Sequence, residues 1–223
     1  MERVRERESS RDRKVRYVPR SRFARAAMVL HGSESKDRAV YTEAPHLRLA
    51  FADVSPEVLQ ILGSLAVVSP IKLDELGHAF ASKREKLNNH TKFFDVKHED
   101  LHRAHDLLNM IEAATYEMVQ GFHGYDVFFL GLRSNYEGGT NEGTSHMHRD
   151  SSRNGKDTII LTGTFWGAST VYQSKGDTDI HLPPQSLCAH IGSEKNNVIV
   201  HRSPHCHKTK DRRVCLVVGL VPR

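Results

Sequence analysis

The sequence predicts an α+β fold with a mainly β core, in which helices precede a double-stranded β-helix (jelly roll). Apolar residues at helical spacing are confined to the first 121 residues, whereas the rest of the chain consists of short apolar runs separated by turn residues. Short strands without intervening helices are typical of an antiparallel sandwich or barrel. The length of 223 residues suits one domain with an appended segment. We therefore expect a single jelly-roll domain over residues 38–223.

Residues 1–37 are predicted to form a basic, flexible N-terminal arm. Residues 1–25 hold ten Lys and Arg against four Asp and Glu, whereas the remainder holds 22 against 23, so the net charge of +5 belongs to this arm. Low hydrophobicity combined with high charge favours disorder. A basic arm either contacts the phosphates of a nucleic acid or remains a solvated tail without a specific partner. Both alternatives stay open, and the first makes a nucleic acid a candidate partner.

Residues 38–121 are predicted to be the helical part of the domain. The clearest helix spans about 98–120, because Leu101, Ala104 and Leu108 recur every three or four residues and Gly121 stops the helix. The other elements expected here are one or two short strands within 39–53, a helix that begins at Ser55-Pro56, and a helix over about 72–86.

Residues 122–223 are predicted to be a metal-binding β core. The apolar run 127–132 has the composition of a buried strand and is followed by a Gly-rich loop over 135–144. Further strands are expected near 146–150, 157–165, 169–173, 186–191, 197–201 and 212–221.

The composition favours a cytoplasmic protein. No run of about 18 apolar residues is present, so no membrane-spanning helix is expected, and the charged N-terminus lacks the apolar stretch of a signal peptide. The three cysteines, Cys188, Cys206 and Cys215, are unevenly spaced and are expected to be reduced.

The triplet His148-x-Asp150 is the first part of a candidate metal site. In an extended strand the side chains at i and i+2 leave the same face, so this imidazole and this carboxylate point the same way. His201 follows an apolar run that is expected to be another strand. Two imidazoles and one carboxylate leave about half the positions of a six-coordinate iron open for a co-substrate and O2. A three-histidine set of His146, His148 and His201 is an alternative, because His146 shares the same face.

An arginine follows the distal histidine at a useful spacing. Ten residues separate His201 from Arg212, and Arg213 is next to it. A guanidinium group fits a carboxylate bidentately, so one of these residues is expected to hold the distal carboxylate of a keto acid. Strand alternation lets only one of them face inward, and the sequence leaves the choice open. The alternative is a pair of strand-edge arginines that prevent edge pairing.

The order His148-x-Asp150, His201 and Arg212 or Arg213 resembles that of the iron(II)/2-oxoglutarate-dependent oxygenases, whose core is a double-stranded β-helix behind N-terminal helices. More narrowly, residues 145–221 resemble the uncharacterised bacterial family DUF1826. Besides His148-x-Asp150, the pieces that carry the narrower resemblance are Leu-Thr-Gly-Thr-Phe-Trp-Gly-Ala-Ser-Thr at 161–170 and Val-His-Arg-Ser-Pro at 200–204.

The resemblance implies a mechanism and roles for several residues. Iron(II) would be bound by His148, Asp150 and His201 as the catalytic centre, with 2-oxoglutarate and O2 in the open positions. Oxidative decarboxylation of the keto acid would then drive oxidation of a substrate C–H bond. Further residues are candidates for lining the pocket or forming a lid over it, namely Thr162, Thr164, Trp166, Tyr136 and Glu142. The alternative for each is a plain packing or loop role.

Two other functions stay open beside an oxygenase. One is a cupin-like metal-binding protein that uses a three-histidine site, and the other is a non-catalytic jelly-roll binding module whose basic arm contacts nucleic acid. No motif in the sequence identifies the substrate, so a small amino acid, a side chain of a peptide or protein, and a nucleobase are all candidates. The basic arm favours a macromolecule slightly. The sequence gives no indication of the oligomeric state.

Overall fold

The structure is a computed structural model that describes residues 15–32, 39–45, 58–59, 62, 69–93, 97–135, 146–173, 178–193, 199–204 and 213–223. The α-helices with bounds in these ranges are Phe23–Gly32 (α1), Leu76–Phe93 (α2) and His98–Val119 (α3). The strands are Val15–Tyr17 (β1), Ala39–Glu43 (β2), Ile71–Lys72 (β3), Tyr125–Asn135 (β4), Thr158–Trp166 (β5), Val171–Gln173 (β6), Asp179–His181 (β7), Ser186–Gly192 (β8), Val200–Arg202 (β9) and Arg213–Pro222 (β10).

Helix α3 is the helix that the sequence predicts most clearly, and its prediction is confirmed. Its buried residues include Ala104, Leu108 and Ile111, which recur at the spacing of one helix face. Two acidic residues in the first turn lie near the positive end of the helix dipole. The helix ends shortly before Gly121, whose φ of +94° is in the left-handed region that glycine adopts without strain.

The strands form two sheets between which the chain alternates. The larger sheet has the order β1-β2-β8-β5-β10-β4-β3, and the smaller has the order β7-β6-β9. From β4 onward the chain passes from the larger sheet to a bridge with the smaller one at His148, back to β5, on to β6 and β7, and then to β8, β9 and β10 in turn. The described strand pairs of this part are antiparallel. This path is that of a double-stranded β-helix, so the predicted fold class is confirmed.

The two faces of the larger sheet differ in chemistry because side chains alternate along each strand. The face with Leu161, Ala189 and Leu216 belongs to the main hydrophobic core, which also contains the buried side of α3. Gly163 lies on this face, and a Cβ there would be 3.0 Å from the Met118 sulfur of α3, so a side chain at this position would require Met118 to move by a few tenths of an ångström. The opposite face, which includes Thr162 and Cys188, points toward the smaller sheet.

The predicted boundary of the flexible arm at residue 37 needs correction. Val15–Tyr17 pair in parallel with β2, and Phe23–Gly32 form helix α1. Phe23 and Ala27, one helical turn apart, are buried in the main core. The basic composition of this segment gives no indication of the short apolar face. Because β1 and α1 are formed, the folded part includes residues from Val15 onward. Residues 1–14 lie outside the described residues, and their flexibility stays a prediction.

Other boundaries differ in detail from the predictions. Helix α2 begins later and ends later than the predicted 72–86. The expected strand at 146–150 is a single bridge at His148, and the short strand β7 was not predicted. The helix expected from Ser55 falls mostly on residues outside the described ranges. No helix in the described part of the chain is long and apolar enough to cross a membrane.

Candidate metal centre and pocket

The backbone brings the two candidate histidine ligands together. His148 and His201 form an isolated antiparallel bridge, in which the His148 amide donates to the His201 carbonyl (2.9 Å) and the His201 amide donates to the His148 carbonyl (3.0 Å). Their imidazole rings therefore lie side by side, with centroids 4.4 Å apart. Asp150 follows two residues after His148, and its carbonyl accepts a hydrogen bond from the Ser193 amide just after β8 (3.0 Å).

His148, Asp150 and His201 converge on one point. Each offers a ligand atom, and these atoms lie within 4.8 Å of one another. Asp150 Oδ1 is 3.9 Å from His148 Nε2, and Asp150 Oδ2 is 3.3 Å from His201 Nε2. His201 is buried, whereas His148 and Asp150 are half-buried, so the site is open on one side. These are the three residues that the sequence predicts as metal ligands.

The hydrogen bonds and charges around the triad suit it to a metal ion. His148 Nδ1 lies 2.8 Å from the carbonyl oxygen of His146, which can only accept, so Nδ1 carries the proton and Nε2 has a free lone pair. Burial and the neighbouring His190 hold the pKa of His201 well below its usual value, so this imidazole is neutral. Its Nδ1 is buried with no hydrogen-bond partner among the described residues.

The carboxylate completes the donor set as an anion. Burial raises the pKa of Asp150, but the hydrogen bond from His190, together with the other imidazoles nearby, outweighs burial and holds this pKa well below its ordinary value. Two imidazoles and one carboxylate match the facial triad that binds iron(II) in non-haem oxygenases. The residues therefore fit an iron(II) ion.

His190 is a site residue that sequence reasoning missed. Its Nε2 is 2.7 Å from Asp150 Oδ2, and its Nδ1 is 3.1 Å from the hydroxyl of Tyr172. The Cys188 thiol contacts the same hydroxyl at 2.9 Å. These three side chains are fully buried between the sheets. A polar residue two positions after Cys188 in an otherwise apolar strand was the available signal, but no spacing rule connects His190 to Asp150.

Arg213 is the arginine that the structure directs into the pocket. It lies at the start of β10, is only 3% exposed and is held by three hydrogen bonds. Nε donates to the Ala168 carbonyl (2.9 Å), Nη1 to the Ser203 hydroxyl (3.1 Å) and Nη2 to the Thr170 hydroxyl (2.8 Å). Arg212 lies outside the described residues.

One pocket of about 280 Å³ joins the triad to Arg213. The described residues that line it are Phe128, Phe129, Arg133, His148, Asp150, Ser151, Ile160, Thr162, Thr170, His190, His201, Arg202, Ser203, Arg213 and Val217. The triad and Arg213 therefore face the same pocket.

Two phenylalanines form an apolar wall of the pocket. The β4–β10 register shifts at Gly219, and such a bulge turns the neighbouring Phe128 and Phe129 to one side of the strand. Their rings lie over glycines, since a Cβ at Gly219 would be 2.6 Å from Phe128 and a Cβ at Gly131 would be 2.9 Å from Phe129. The guanidinium carbon of Arg133 is 5.2 Å from the centre of the Phe129 ring.

The remaining predicted site residues have different locations. Thr162 lines the pocket, whereas Thr164 is buried outside the lining and Trp166 packs against the main core. His146 contributes its carbonyl to His148, but its side chain is exposed and is not part of the metal-binding group found among the described residues. Tyr136 and Glu142 lie outside the described residues.

The chain matches no protein-family model and no curated protein sequence. It is similar to the solved structure of a dioxygenase for auxin oxidation from Arabidopsis thaliana in complex with 2-oxoglutarate, with 10% identity, a TM-score of 0.48, and coverage of 94% of this chain and 93% of that chain. It is also similar to the structure of a full-length Neurospora crassa protein in complex with α-ketoglutarate (16% identity, TM-score 0.42, coverage 94% and 84%). A third similar structure is JOX2 in complex with 2OG, Fe and JA. It has 15% identity and a TM-score of 0.41, and the match covers 94% of this chain and 75% of that chain. The narrower resemblance to DUF1826 stays a prediction.

Proposed function

We propose that this protein is an iron(II)- and 2-oxoglutarate-dependent oxygenase that oxidises a C–H bond of its substrate. One observation carries the proposal. A single pocket is lined by the His148-Asp150-His201 triad and by Arg213, which is buried. A buried cation beside the triad suits the distal carboxylate of a keto-acid co-substrate.

The triad would hold the iron through His148 Nε2, one oxygen of Asp150 and an imidazole nitrogen of His201. When bound, iron(II) supplies open positions for the keto acid and O2, whose reaction gives succinate and CO2 and leaves one oxygen atom for the substrate. The chain's own contribution is to bring three donor groups within 4.8 Å of one another. The His146 carbonyl fixes the tautomer of His148, and burial keeps His201 neutral.

Arg213 would bind the distal carboxylate of 2-oxoglutarate. Its guanidinium has five N–H groups, three of which bond to Ala168, Ser203 and Thr170, so one N–H on each terminal nitrogen is left for the co-substrate. Two parallel N–H donors suit a carboxylate, and burial strengthens the charge-assisted bonds. The same three bonds hold the fork in place before the co-substrate arrives, which reduces the entropy lost on binding.

The decisive experiment is an anaerobic titration of the protein with iron(II) and 2-oxoglutarate. A weak visible charge-transfer band that requires both components is expected for the unmodified protein and for His102→Ala, which changes an exposed histidine on α3. His148→Ala is expected to lose the band. Metal binding without the band would reject the keto-acid co-substrate and favour a cupin-like metal protein. No metal binding at all would reject the metal centre.

A further inference from the structure

A chain of hydrogen-bonded side chains runs from the triad into the space between the two sheets. Asp150 Oδ2 contacts His190 Nε2 at 2.7 Å, His190 Nδ1 contacts the Tyr172 hydroxyl at 3.1 Å, and this hydroxyl contacts the Cys188 thiol at 2.9 Å. His190, Tyr172 and Cys188 are each at most 1% exposed. Solvent therefore cannot replace these contacts.

The chemistry of these groups determines which partner donates each hydrogen bond. A carboxylate only accepts, so His190 Nε2 carries the proton and donates it to Asp150. With Nε2 donating to Asp150, Nδ1 is the nitrogen that accepts from the Tyr172 hydroxyl, whose oxygen accepts from the Cys188 thiol. Thr162 makes a third side-chain contact with Tyr172. Tyr172 and Cys188 do not hydrogen-bond to Asp150. They therefore favour, from the opposite side of the ring, the His190 tautomer that carries its proton on Nε2.

The backbone around Asp150 supports the same arrangement. The Ser193 amide holds the Asp150 carbonyl, and a Cβ at Gly192 would be 3.1 Å from the Asp150 Cβ. The end of β8 therefore contacts Asp150 through its backbone as well as through His190. Oδ2 is engaged by His190 and lies 3.3 Å from His201 Nε2, whereas Oδ1 makes no such hydrogen bond to His190 and faces His148 Nε2 at 3.9 Å.

We propose that His190 is a positioning residue of the metal centre, which holds Asp150 Oδ2 so that Oδ1 is presented to the metal, and that Tyr172 and Cys188 maintain the His190 tautomer required for this. The inference rests on the metal site of the proposed function, but it does not depend on the keto acid. Partners of this kind orient metal-binding side chains, and their loss commonly weakens metal affinity about 10- to 100-fold.

The matched variants His190→Gln and His190→Asn test the proposal. The amide nitrogen of Gln can reach the position of the imidazole Nε2 and donate to Asp150 Oδ2, whereas the shorter Asn cannot. The measurements are the dissociation constant for Co(II), the visible absorption spectrum of bound Co(II), which reports the geometry of its ligands, and the melting temperature of the metal-free protein. Tyr172→Phe, which keeps the ring but removes the hydroxyl, is the second probe.

We expect His190→Asn to weaken Co(II) binding about 10- to 100-fold and to change its spectrum. His190→Gln is expected to retain both properties, and Tyr172→Phe is expected to fall between them, because a freed Nδ1 competes for the proton. Equal losses in the Gln and Asn variants would overturn the proposal, since packing of the ring would then matter rather than the donor. Unchanged binding in both variants would overturn it as well. If the unmodified protein binds no Co(II), the metal centre itself fails, a result distinct from both of these.

Discussion

The backbone amide and carbonyl groups of His148 pair with those of His201, which places the two imidazole rings 4.4 Å apart. His148 lies in an irregular segment and His201 on the short strand β9, so neither position is supported by a long ladder of hydrogen bonds. Asp150 depends on this bridge for its direction, and it has further support from the end of β8. The metal centre is therefore built where three short backbone contacts meet.

Gly192 is expected to be essential for the position of Asp150. A Cβ at Gly192 would be 2.4 Å from the Thr158 hydroxyl and 3.1 Å from both the Asp150 Cβ and the Ser151 carbonyl oxygen. Gly192→Ala should therefore shift Asp150, weaken metal binding and lower the free energy of unfolding by about 1–3 kcal/mol. Calorimetric titration with Co(II) and chemical denaturation measure the two effects.

Gly124→Ala is the matched control for this substitution, because a Cβ at Gly124 meets nothing within 4 Å. It should leave both metal affinity and stability close to those of the unmodified protein. Metal binding by Gly192→Ala that equals the control would mean that Asp150 tolerates the displacement.

Arg213→Lys is expected to separate co-substrate binding from metal binding. Lysine keeps the positive charge but loses the planar fork, so binding of 2-oxoglutarate should weaken by about 1.5–3 kcal/mol, roughly 10- to 100-fold. The triad is untouched, so Co(II) affinity should not change. Equilibrium binding of 2-oxoglutarate to the metal-loaded protein gives the first quantity. Arg223→Lys, near the chain terminus where Arg223 pairs with Asp126, is the control and should change neither.

The sequence predicts the triad well because its members depend on local patterns. The i, i+2 spacing of His148 and Asp150 and the apolar run before His201 can be read without knowing how strands pair. Strand pairing decides the rest. The position of His190 opposite Asp150 results from the placement of the end of β8, which no short motif encodes. That Arg213 lines the pocket is visible only from the observed direction of its side chain, and Arg212 lies outside the described residues.

Two further features depend on packing that the sequence pattern does not reveal. Phe128 and Phe129 have the appearance of an ordinary buried strand, and only the register shift at Gly219 turns both of them toward the pocket. Phe23 and Ala27 are isolated apolar residues in a basic segment, and they become core residues because α1 lies against the domain. Composition averaged over such a segment predicts disorder although single side chains within it are buried.

The metal-free protein is expected to lose stability as the pH falls below about 6.5. Burial holds the pKa of His201 well below its ordinary value, so the folded protein keeps this imidazole neutral while the unfolded chain takes up a proton. Such a group lowers the free energy of unfolding by up to about 1.4 kcal/mol per pH unit below that point. Asp150 acts in the same direction but only below about pH 4, because its folded pKa is lowered from a value near 4.

Denaturation of the metal-free protein at pH 7.5, 6.5 and 5.5 measures this dependence, with His201→Asn and His102→Gln as variants. His201→Asn should reduce the slope between pH 6.5 and 5.5, whereas loss of the exposed His102 should leave it nearly unchanged. Equal slopes in the unmodified protein and in His201→Asn would show that His201 does not titrate differently on folding.

The last prediction concerns the boundary of the N-terminal arm. Removal of residues 1–14 is expected to leave the free energy of unfolding unchanged, whereas removal of residues 1–25 should lower it markedly, because it deletes β1 and the buried Phe23. Phe23→Ala alone should cost about 3–5 kcal/mol. Arg20 also pairs with Glu117 of α3, so the longer deletion removes an ion pair to the body of the domain. If residues 1–14 contact a nucleic acid, the unmodified protein should show salt-sensitive binding that the shorter deletion loses. The shorter deletion is the suitable test because that variant keeps its fold. If the two deletion variants are equally stable, residues 15–25 do not stabilise the fold, and the predicted end of the N-terminal arm at residue 37 stands.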